Sequence, residues 1–262
     1  MNILEQIVAF KKQEIAKIKA EVSLEKLVKS PAFKRTPLSL KEALLEKGST
    51  GIIAEFKRQS PSKGIINATS TIQEVTEGYL NANVAAQSIL TDTRYFGGTM
   101  VDLMTARTLN SVRPILRKDF VVDAFQIVEA KAIGSDAVLL IAACLTKEEL
   151  KNYGKLATEL GLSVLYEVHS QEELDKISDL DGKIIGINNR NLKTFEVDLE
   201  HSIALAAQIP ASCVKVSESG ISNPRIISGL KEYGFQGFLI GENFMKTDNP
   251  GRACRQFIDQ IR

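Results

Sequence analysis

The first 48 residues carry a hydrophobic pattern that differs from that of the rest of the chain. Apolar residues recur at helical spacing among lysines and glutamates, at Ile3, Ile7, Phe10, Ile15, Ile18 and Val22. Ser30-Pro31 interrupts this pattern, and a second short helical stretch begins at Leu40 and stops at Gly48. We predict that residues 1–48 form a helical extension whose apolar face packs on the main domain. The mixed charge argues against a helix lying on a membrane surface.

From Gly51 onward, short apolar runs rich in β-branched residues alternate with helical stretches. The runs predict eight strands, at residues 52–56, 86–90, 114–116, 137–141, 163–166, 183–187, 213–216 and 237–240. The stretches after them predict helices at residues 71–80, 101–109, 124–133, 147–160, 171–177, 199–208, 224–233 and 252–261. Strands that are apolar on both faces and separated by helices pair in parallel and are buried on both sides.

Eight such units in about 210 residues match the size of a closed (β/α)8 barrel. We therefore predict an α/β protein in which residues 1–262 form a single TIM-barrel domain, with residues 1–48 as a helical extension packed on it. A doubly wound open sheet is the alternative. It is weaker because polar residues end nearly every predicted strand, whereas an open sheet concentrates them at one switch point.

Charge and cysteine content restrict the partners. The chain has 33 basic and 32 acidic side chains and a net charge of +1, so it lacks the overall basic field typical of nucleic-acid binding. It contains no apolar run long enough to span a bilayer, and its amino terminus does not resemble a signal peptide. Cys144, Cys213 and Cys254 are odd in number and widely spaced, which favours reduced thiols. We expect a cytoplasmic protein that binds neither nucleic acid nor membrane.

The sequence does not support a metal site. It contains no CxxC or HExxH spacing, and its two histidines, His169 and His201, are far apart. We expect these histidines to be loop and helix residues rather than catalytic groups.

Reactive side chains follow the predicted strands, where a barrel gathers them around one mouth. They are Glu55, Lys57 and Ser60 after the first strand, Lys118 and Asp119 after the third, Glu167 after the fifth, Asn188 and Arg190 after the sixth, Glu218, Ser219 and Gly220 after the seventh, and Gly241 after the eighth. Glu55, Lys57, Lys118 and Glu167 form a mixed acid–base set. Ion pairs on a solvated rim would explain any one of them alone, but the whole set favours catalysis.

Two turns near the end of the chain predict a phosphate site. Ser219-Gly220 and Gly241-Glu242 each precede a helix-forming stretch. Glycine lets the backbone approach a ligand, and a helix start presents unpaired N–H groups, although plain strand-to-helix turns also favour glycine. The loop at residues 57–64 combines lysines with Ser60-Pro61-Ser62 and Gly64, which predicts a mobile lid that excludes water from the site.

Several of these segments resemble one enzyme family. Residues 53–64, IAEFKRQSPSKG, resemble the signature of the indole-3-glycerol phosphate synthases. The resemblance continues through SILTDTRYFGG at 88–98, PILRKDF at 114–120, GINNRNL at 186–192 and VSESGI at 216–221, and it spans essentially the whole chain. It implies a carbon–carbon carboxy-lyase of tryptophan biosynthesis that uses no metal and no organic cofactor. This decarboxylase converts 1-(2-carboxyphenylamino)-1-deoxyribulose 5-phosphate into indole-3-glycerol phosphate, carbon dioxide and water.

The resemblance also implies catalytic roles. Lys118 matches the general acid at the substrate's ketone oxygen, and Glu167 matches the general base of the dehydration. Lys57 matches a second lysine, which either binds the substrate carboxylate or protonates the departing hydroxyl. Glu55 would orient and tune the two lysines. The sequence does not divide the proton transfers between Lys57 and Lys118.

Other positions match substrate-binding residues of the family. Asn188 fits the sugar-derived chain, Arg190 the anthranilate carboxylate, and Phe96 and Phe120 the anthranilate ring, with a plain core role as the alternative for both rings. The remaining matches contact substrate or phosphate, and they are Ser60, Glu218, Ser219, Gly220 and Gly241. Glu242 departs from a common form of the family, in which a serine follows the phosphate glycine. Only its backbone N–H is therefore assigned to the phosphate.

Two other functions compete with this interpretation. Phosphoribosylanthranilate isomerases resemble the chain in fold and phosphate site but use a cysteine–aspartate pair at early strand ends. Here those positions hold Glu55 and Lys57, and no cysteine precedes Cys144. A non-catalytic barrel that binds a phosphorylated metabolite or a partner protein would not need the acid–base set. Since the chain ends after its eighth unit, we expect a monofunctional enzyme, a monomer or weak homodimer, whose partner is a phosphorylated small molecule.

Overall fold

Eight parallel strands close into a barrel in the computed structural model, which describes residues 2–177, 182–190 and 196–261. The strands are β1 (Ile52–Phe56), β2 (Gln59–Ser60), β3 (Gly64–Ile65), β4 (Ala86–Leu90), β5 (Ile115–Lys118), β6 (Ala137–Ile141), β7 (Ser163–Val168), β8 (Ile184–Asn188), β9 (Val214–Glu218) and β10 (Phe235–Ile240). Strand β1 pairs with both β4 and β10, through Ile53↔Ala86 and Ile53↔Leu239. These pairings close the barrel, so the open-sheet alternative is wrong.

Helices surround the barrel and form the extension. They are α1 (Ile3–Glu21), α2 (Leu24–Val28), α3 (Leu40–Leu45), α4 (Ile72–Asn81), α5 (Thr93–Phe96), α6 (Met100–Leu109), α7 (Phe125–Ala132), α8 (Lys147–Glu159), α9 (Gln171–Lys176), α10 (Leu199–Ala206), α11 (Pro224–Glu232), α12 (Glu242–Met245) and α13 (Pro250–Asp259), with a 3-10 turn at Pro31–Lys34. The predicted strands and helices are confirmed to within a few residues. The antiparallel hairpin β2–β3 and the short helices α5 and α12 were not predicted.

The alternation of side chains along the strands separates two cores. In β1, Ile52, Ala54 and Phe56 pack against the helices, while Ile53 faces the interior of the barrel. Successive side chains of a strand point to opposite faces. Glu55, two residues beyond Ile53, therefore shares its face at the carboxyl end of the strand. The same spacing places Lys118 above Leu116.

The extension contacts the barrel at both ends. Ile15 of α1 packs against Val122 and Phe125, beside the carboxyl ends of the strands. Leu40 and Leu44 of α3 belong to the apolar interior of the barrel and close its amino end. The predicted amphipathic helix and the predicted short helix from Leu40 are both present. Among the described helices, none is both long enough and apolar enough to cross a membrane.

Candidate active site

A cavity of about 330 Å³ opens at the carboxyl end of the barrel. Every side chain or glycine proposed from the sequence lines it, namely Glu55, Lys57, Ser60, Phe96, Lys118, Phe120, Glu167, Asn188, Arg190, Glu218, Ser219, Gly220 and Gly241. The GINNRNL motif reaches it through Asn188 and Arg190, while its residues 191–192 lie outside the described residues. The extension also lines the cavity, through Ile3, Leu4 and Ile7.

Lys118 lies at the centre of the cavity between two buried carboxylates. Its Nζ is 2.9 Å from Glu167 Oε2 and 3.0 Å from Glu218 Oε2. Burial alone would lower the pKa of Lys118, but the two carboxylates raise it above its ordinary value. Lys118 is therefore an ammonium group at neutral pH.

The two carboxylates differ in their affinity for a proton. Burial favours the neutral form of Glu167, yet the positive charges of Lys118 and His169 lower its pKa to about 2. Asn188 Nδ2 also donates a hydrogen bond of 3.2 Å to Glu167 Oε1. For Glu218, burial dominates and raises the pKa to about 7, and no described residue donates a hydrogen bond to its buried Oε1. Two carboxyl groups with separated pKa values are typical of acid–base catalysis.

Two glycines make room for the buried carboxylates. A Cβ atom on Gly186 of β8 would overlap Glu218 Oε1, and one on Gly241 would overlap Glu55 Oε1. Glu55 in turn forms an ion pair of 2.7 Å with Lys57 Nζ. Gly241, which the sequence assigned to phosphate contact, is thus also required for the position of Glu55.

The turns after β9 and β10 present backbone rather than side chains to the cavity. Ser219 and Gly220 both have left-handed backbone angles, with φ of +70° and +73°. This conformation is rare for a residue other than glycine, and such strain clusters at functional sites. Helix α12 begins directly after Gly241, and the N–H groups of its first turn, at Glu242 and Asn243, have no carbonyl one turn earlier in the helix. Both features suit an anion such as phosphate.

The Glu242 carboxylate faces two cations at the rim of the cavity. Its Oε2 is 3.7 Å from Arg190 Nη2, and its Oε1 is 3.9 Å from Lys63 Nζ. This side chain is partly exposed, and its charge is partly offset by these neighbours. The departure from serine at this position is therefore accommodated by local pairing.

The loop predicted as a lid contains the hairpin β2–β3, in which Ser60 pairs with Gly64. Arg58, just before the hairpin, donates two hydrogen bonds of 2.7 Å to Asp102, which anchor the base of the loop. Helix α5 lies beside this loop, and the rings of Phe96 and Phe120 lie 6.0 Å apart. Both rings are only partly buried and line the cavity, and Phe120 also packs against the apolar interior of the barrel. The movement of the lid stays a prediction.

Comparison with known proteins identifies the family. The family model described as "Indole-3-glycerol phosphate synthase" matches residues 4–257. The chain belongs to the indole-3-glycerol phosphate synthase family. It is 49% identical over 262 residues to the indole-3-glycerol phosphate synthase of Bacteroides thetaiotaomicron, covering 100% of this chain and 99% of that protein. The synthase of Salinibacter ruber is 41% identical over 254 residues, which are 97% of this chain and 94% of that protein.

Membership of this synthase family makes the chain a carbon–carbon carboxy-lyase of tryptophan biosynthesis. The isomerase and the non-catalytic barrel are thereby rejected as alternatives. Solved structures support the barrel architecture alone. Tryptophan synthase subunit alpha from Legionella pneumophila superposes with a TM-score of 0.60 at 14% identity, covering 85% of this chain and 97% of that one. KGPDC from Streptococcus mutans gives a TM-score of 0.60 at 13% identity, covering 80% and 96%.

Two features of this synthase escaped sequence reasoning. Asp119 was named only as a side chain that follows the third strand; its carboxylate pairs with Lys11 of the extension and with Arg117. The signal for Lys11 was present, because it interrupts the apolar stripe of α1 between Ile7 and Ile15. Among the described residues, no group of three or more His, Cys, Asp or Glu side chains is placed to hold a metal ion.

His169, expected to be a loop residue, lies against the candidate base. Its Nε2 is 3.6 Å from Glu167 Oε1, and its Nδ1 is 3.3 Å from Glu173 Oε2. Burial would lower the pKa of His169, but Glu173 and Glu167 raise it. The spacing did carry a signal, because a side chain two residues after a glutamate shares its face in a regular strand. His169 lies one residue beyond the end of β7, on the side of Glu167.

Proposed function

We propose that this cavity is the active site and that Lys118, Glu167 and Glu218 control its proton transfers. The proposal rests on the position of Lys118 Nζ, which lies within 3.0 Å of two buried carboxylates. The cavity around it ends at the turns after β9 and β10, which suit an anion. The substrate is the phosphorylated anthranilate derivative that the family resemblance implies. The reaction requires one proton donor at the ketone and one proton acceptor for the dehydration.

In the first step, the ring carbon that bears the carboxylate attacks the ketone carbon. The ketone oxygen becomes an alkoxide, which is a stronger base than an amine, so Lys118 donates its proton even though two carboxylates raise its pKa. The new carbon–carbon bond interrupts the aromaticity of the ring. Breaking the bond to the carboxylate returns an electron pair to the ring and releases carbon dioxide.

The same proton transfer prepares the base. Once Lys118 is neutral, the attraction that lowers the pKa of Glu167 is largely lost, and burial then raises that pKa. Glu167 thereby becomes a stronger base for the dehydration, in which it removes the carbon-bound proton. One of the two lysines, Lys57 or Lys118, protonates the departing hydroxyl. In each turnover the enzyme donates two protons to the substrate and accepts one from it, so it takes up one proton from solvent. This proton balances the negative charge of the carboxylate, which leaves as neutral carbon dioxide.

The remaining residues bind and orient the substrate. Asn188 fits the hydroxyl groups of the sugar-derived chain, because its amide already lies beside Glu167. Arg190 suits the anthranilate carboxylate, and Phe96 and Phe120 suit the faces of its ring. The phosphate fits the N–H groups supplied by the two anion-binding turns, with the Ser60 hydroxyl on the lid side; these turns are formed by Ser219, Gly220 and Gly241.

We also propose that residues 1–262 act as a single domain, in the cytoplasm, as a monomer or weak homodimer with no partner beyond the substrate. The insertion of Leu40 and Leu44 into the barrel interior supports the single domain, because it joins the extension to the core.

An assay of the purified protein tests this function. Incubation with the substrate should produce indole fluorescence together with carbon dioxide. Glu167→Gln removes the base but keeps the side-chain shape, so we expect a loss of turnover of about 10²- to 10⁴-fold. Since ring closure and decarboxylation precede the dehydration, carbon dioxide should appear ahead of the indole in the first turnover of this variant. Glu172→Gln, at an exposed glutamate of α9 outside the cavity lining, is the control. Normal turnover of Glu167→Gln would reject the assignment.

A further inference from the structure

A lysine of the extension lies buried beneath two loops of the active site. Lys11 of α1 has a side chain that is 3% exposed. Its Nζ is 3.0 Å from Asp92 Oδ2, 3.0 Å from Asp119 Oδ1 and 2.6 Å from Glu14 Oε2. Asp92 follows β4, and Asp119 follows β5. One ammonium group therefore joins the extension to the carboxyl ends of two adjacent strands.

Asp119 fixes the backbone on which Lys118 is carried. It is the next residue after Lys118, and its Oδ1 accepts a hydrogen bond of 2.8 Å from the N–H of Phe120. Its Oδ2 accepts a hydrogen bond of 2.6 Å from the Thr91 hydroxyl on the neighbouring strand connection. The Asp119 carboxylate, held by Lys11, thus constrains the chain from Lys118 to Phe120.

Asp92 fixes the aromatic wall. It is the N-cap of the one-turn helix α5, where its Oδ1 accepts a hydrogen bond of 2.7 Å from the N–H of Tyr95. Phe96 is the last residue of that helix, and its ring contacts Phe120. The two carboxylates that meet at Lys11 therefore belong to the two loops whose aromatic rings pack together in the lining of the cavity.

The contact is more than a means of docking the extension. Helix α1 already packs through Ile15, and Lys19 forms a separate ion pair of 2.7 Å with Asp123 of the barrel. Among the described residues, Lys11 alone places a cation within ion-pairing distance of Asp92. Asp119 has a second cationic partner, Arg117. Burial would lower the pKa of Lys11, but Asp119 and Asp92 raise it, so the side chain stays charged.

We propose that Lys11 is a positioning residue, which holds Lys118 and the Phe96–Phe120 pair in their working geometry through Asp119 and Asp92. This inference rests on the proposed role of Lys118. It assigns to the extension an indirect effect on the chemical step, because a displacement of about 1 Å at a reacting group reduces rates by as much as about 10²-fold.

Four variants test the proposal. Lys11→Met should lower kcat ten- to a hundredfold and raise KM severalfold, because both the acid and the ring-binding wall move. Lys19→Met removes the other ion pair between α1 and the barrel and should leave kcat and KM within about twofold of the wild type. Lys11→Arg keeps the charge and should regain part of the lost kcat; an arginine variant as slow as Lys11→Met contradicts the proposal.

The double variant Lys11→Met/Asp92→Asn separates positioning from stability. It removes the carboxylate left without a cation and keeps the N-cap, because asparagine caps as well as aspartate. Its Tm should recover toward the wild-type value while its kcat stays low. Recovery of kcat together with Tm would overturn the proposal, because Lys11 would then be only structural. If Lys11→Met fails to fold, the double variant and Lys11→Arg decide.

Measuring Lys118→Met in the same assay separates the two claims. If Lys118→Met turns over normally, the proposed role of Lys118 fails regardless of the Lys11 variants. If it is inactive and the double variant runs like the wild type, only the inference about Lys11 fails.

Discussion

Two buried clusters of charge lie at opposite ends of the barrel, and they differ in how completely the oxygens of their carboxylates are satisfied by donors. At the amino end, Asp136 Oδ1 accepts hydrogen bonds from the N–H of Leu38 and pairs with Arg35, both at 2.7 Å. Its Oδ2 accepts from the N–H of Ile115 at 2.8 Å and from Arg107 at 2.5 Å. This carboxylate therefore has four donors, two of which come from the extension.

At the carboxyl end, by contrast, the buried carboxylates do not have a donor for every oxygen within the part of the chain that the structure describes. Lys118 is shared by Glu167 and Glu218, and one buried oxygen of Glu218 has no donor among the described residues. A buried polar group without a partner is unfavourable, and strongly perturbed pKa values cluster at functional sites. We therefore assign the Asp136 cluster to stability and propose that the Lys118 cluster keeps unused hydrogen-bonding capacity for the substrate. The following experiments test this division.

The largest expected effect is on turnover. Lys118→Met removes the proton donor and should lower kcat by about 10³-fold or more, within the range that general acids contribute. The two carboxylates left behind can share one proton, so thermal unfolding should change little. The measurement is kcat together with Tm. If the Tm of the variant falls together with its kcat, the Lys118 cluster also serves stability, and the proposed difference between the clusters is wrong.

The reverse pattern is expected for Asp136→Ala. This change leaves two arginines and two buried N–H groups without their acceptor and should reduce the free energy of unfolding by about 4 kcal/mol. Below the Tm of the variant, kcat should stay within about twofold of the wild type. Denaturant unfolding measures the loss. The control is Glu46→Ala, which breaks an exposed ion pair between the extension and Arg113 and should change stability by less than about 1 kcal/mol. Equal losses for the two variants would contradict the comparison.

A smaller effect should appear in the pH dependence of stability. The pKa of Glu218 is about 7 in the folded protein, against about 4.3 for an unfolded glutamate. Between these values the folded state binds the extra proton, so the free energy of unfolding falls as the pH rises from about 4 to about 7. Glu218→Gln removes this decline, and its stability relative to the wild type should improve by about 2.5 kcal/mol between pH 5 and pH 8.

Urea unfolding at the two pH values measures that change. Glu232→Gln, at an exposed glutamate of α11, is the control and should show no comparable improvement. If the difference in stability between Glu218→Gln and the wild type is the same at both pH values, Glu218 does not carry the raised pKa.

The order of strands and helices could be predicted because apolar periodicity records which faces are buried. The ends of the strands were less predictable at the functional positions. The third strand was predicted at residues 114–116, but β5 extends through Lys118, and β9 extends to Glu218 rather than residue 216. An apolar run ends where the charged residues begin, yet the backbone continues to pair with its neighbours. The helices α5 and α12 have only four residues each, too few to show a period.

The composition of the site was predictable, but its internal pairing was not. A barrel brings its strand ends to one mouth, so the sequence could nominate Lys118, Glu167 and Glu218 together. The different pKa values of the two glutamates depend on which neighbours surround each buried group. The pairing of Lys11 with Asp119 joins residues 108 positions apart, a contact that no local pattern records.

The extension is synthesised first, but its contacts with the barrel can form only after their barrel partners have been synthesised. During synthesis, Arg35 and Leu38 leave the ribosome well before Asp136, the carboxylate to which they bind, has been added to the chain. At translation rates of about 5 to 20 residues per second, that interval is on the order of 5 to 20 seconds. Throughout it, Leu40 and Leu44 have no assembled barrel to enter. A nascent chain of this protein therefore exposes an apolar segment to chaperones for longer than does a nascent barrel protein that lacks such an extension.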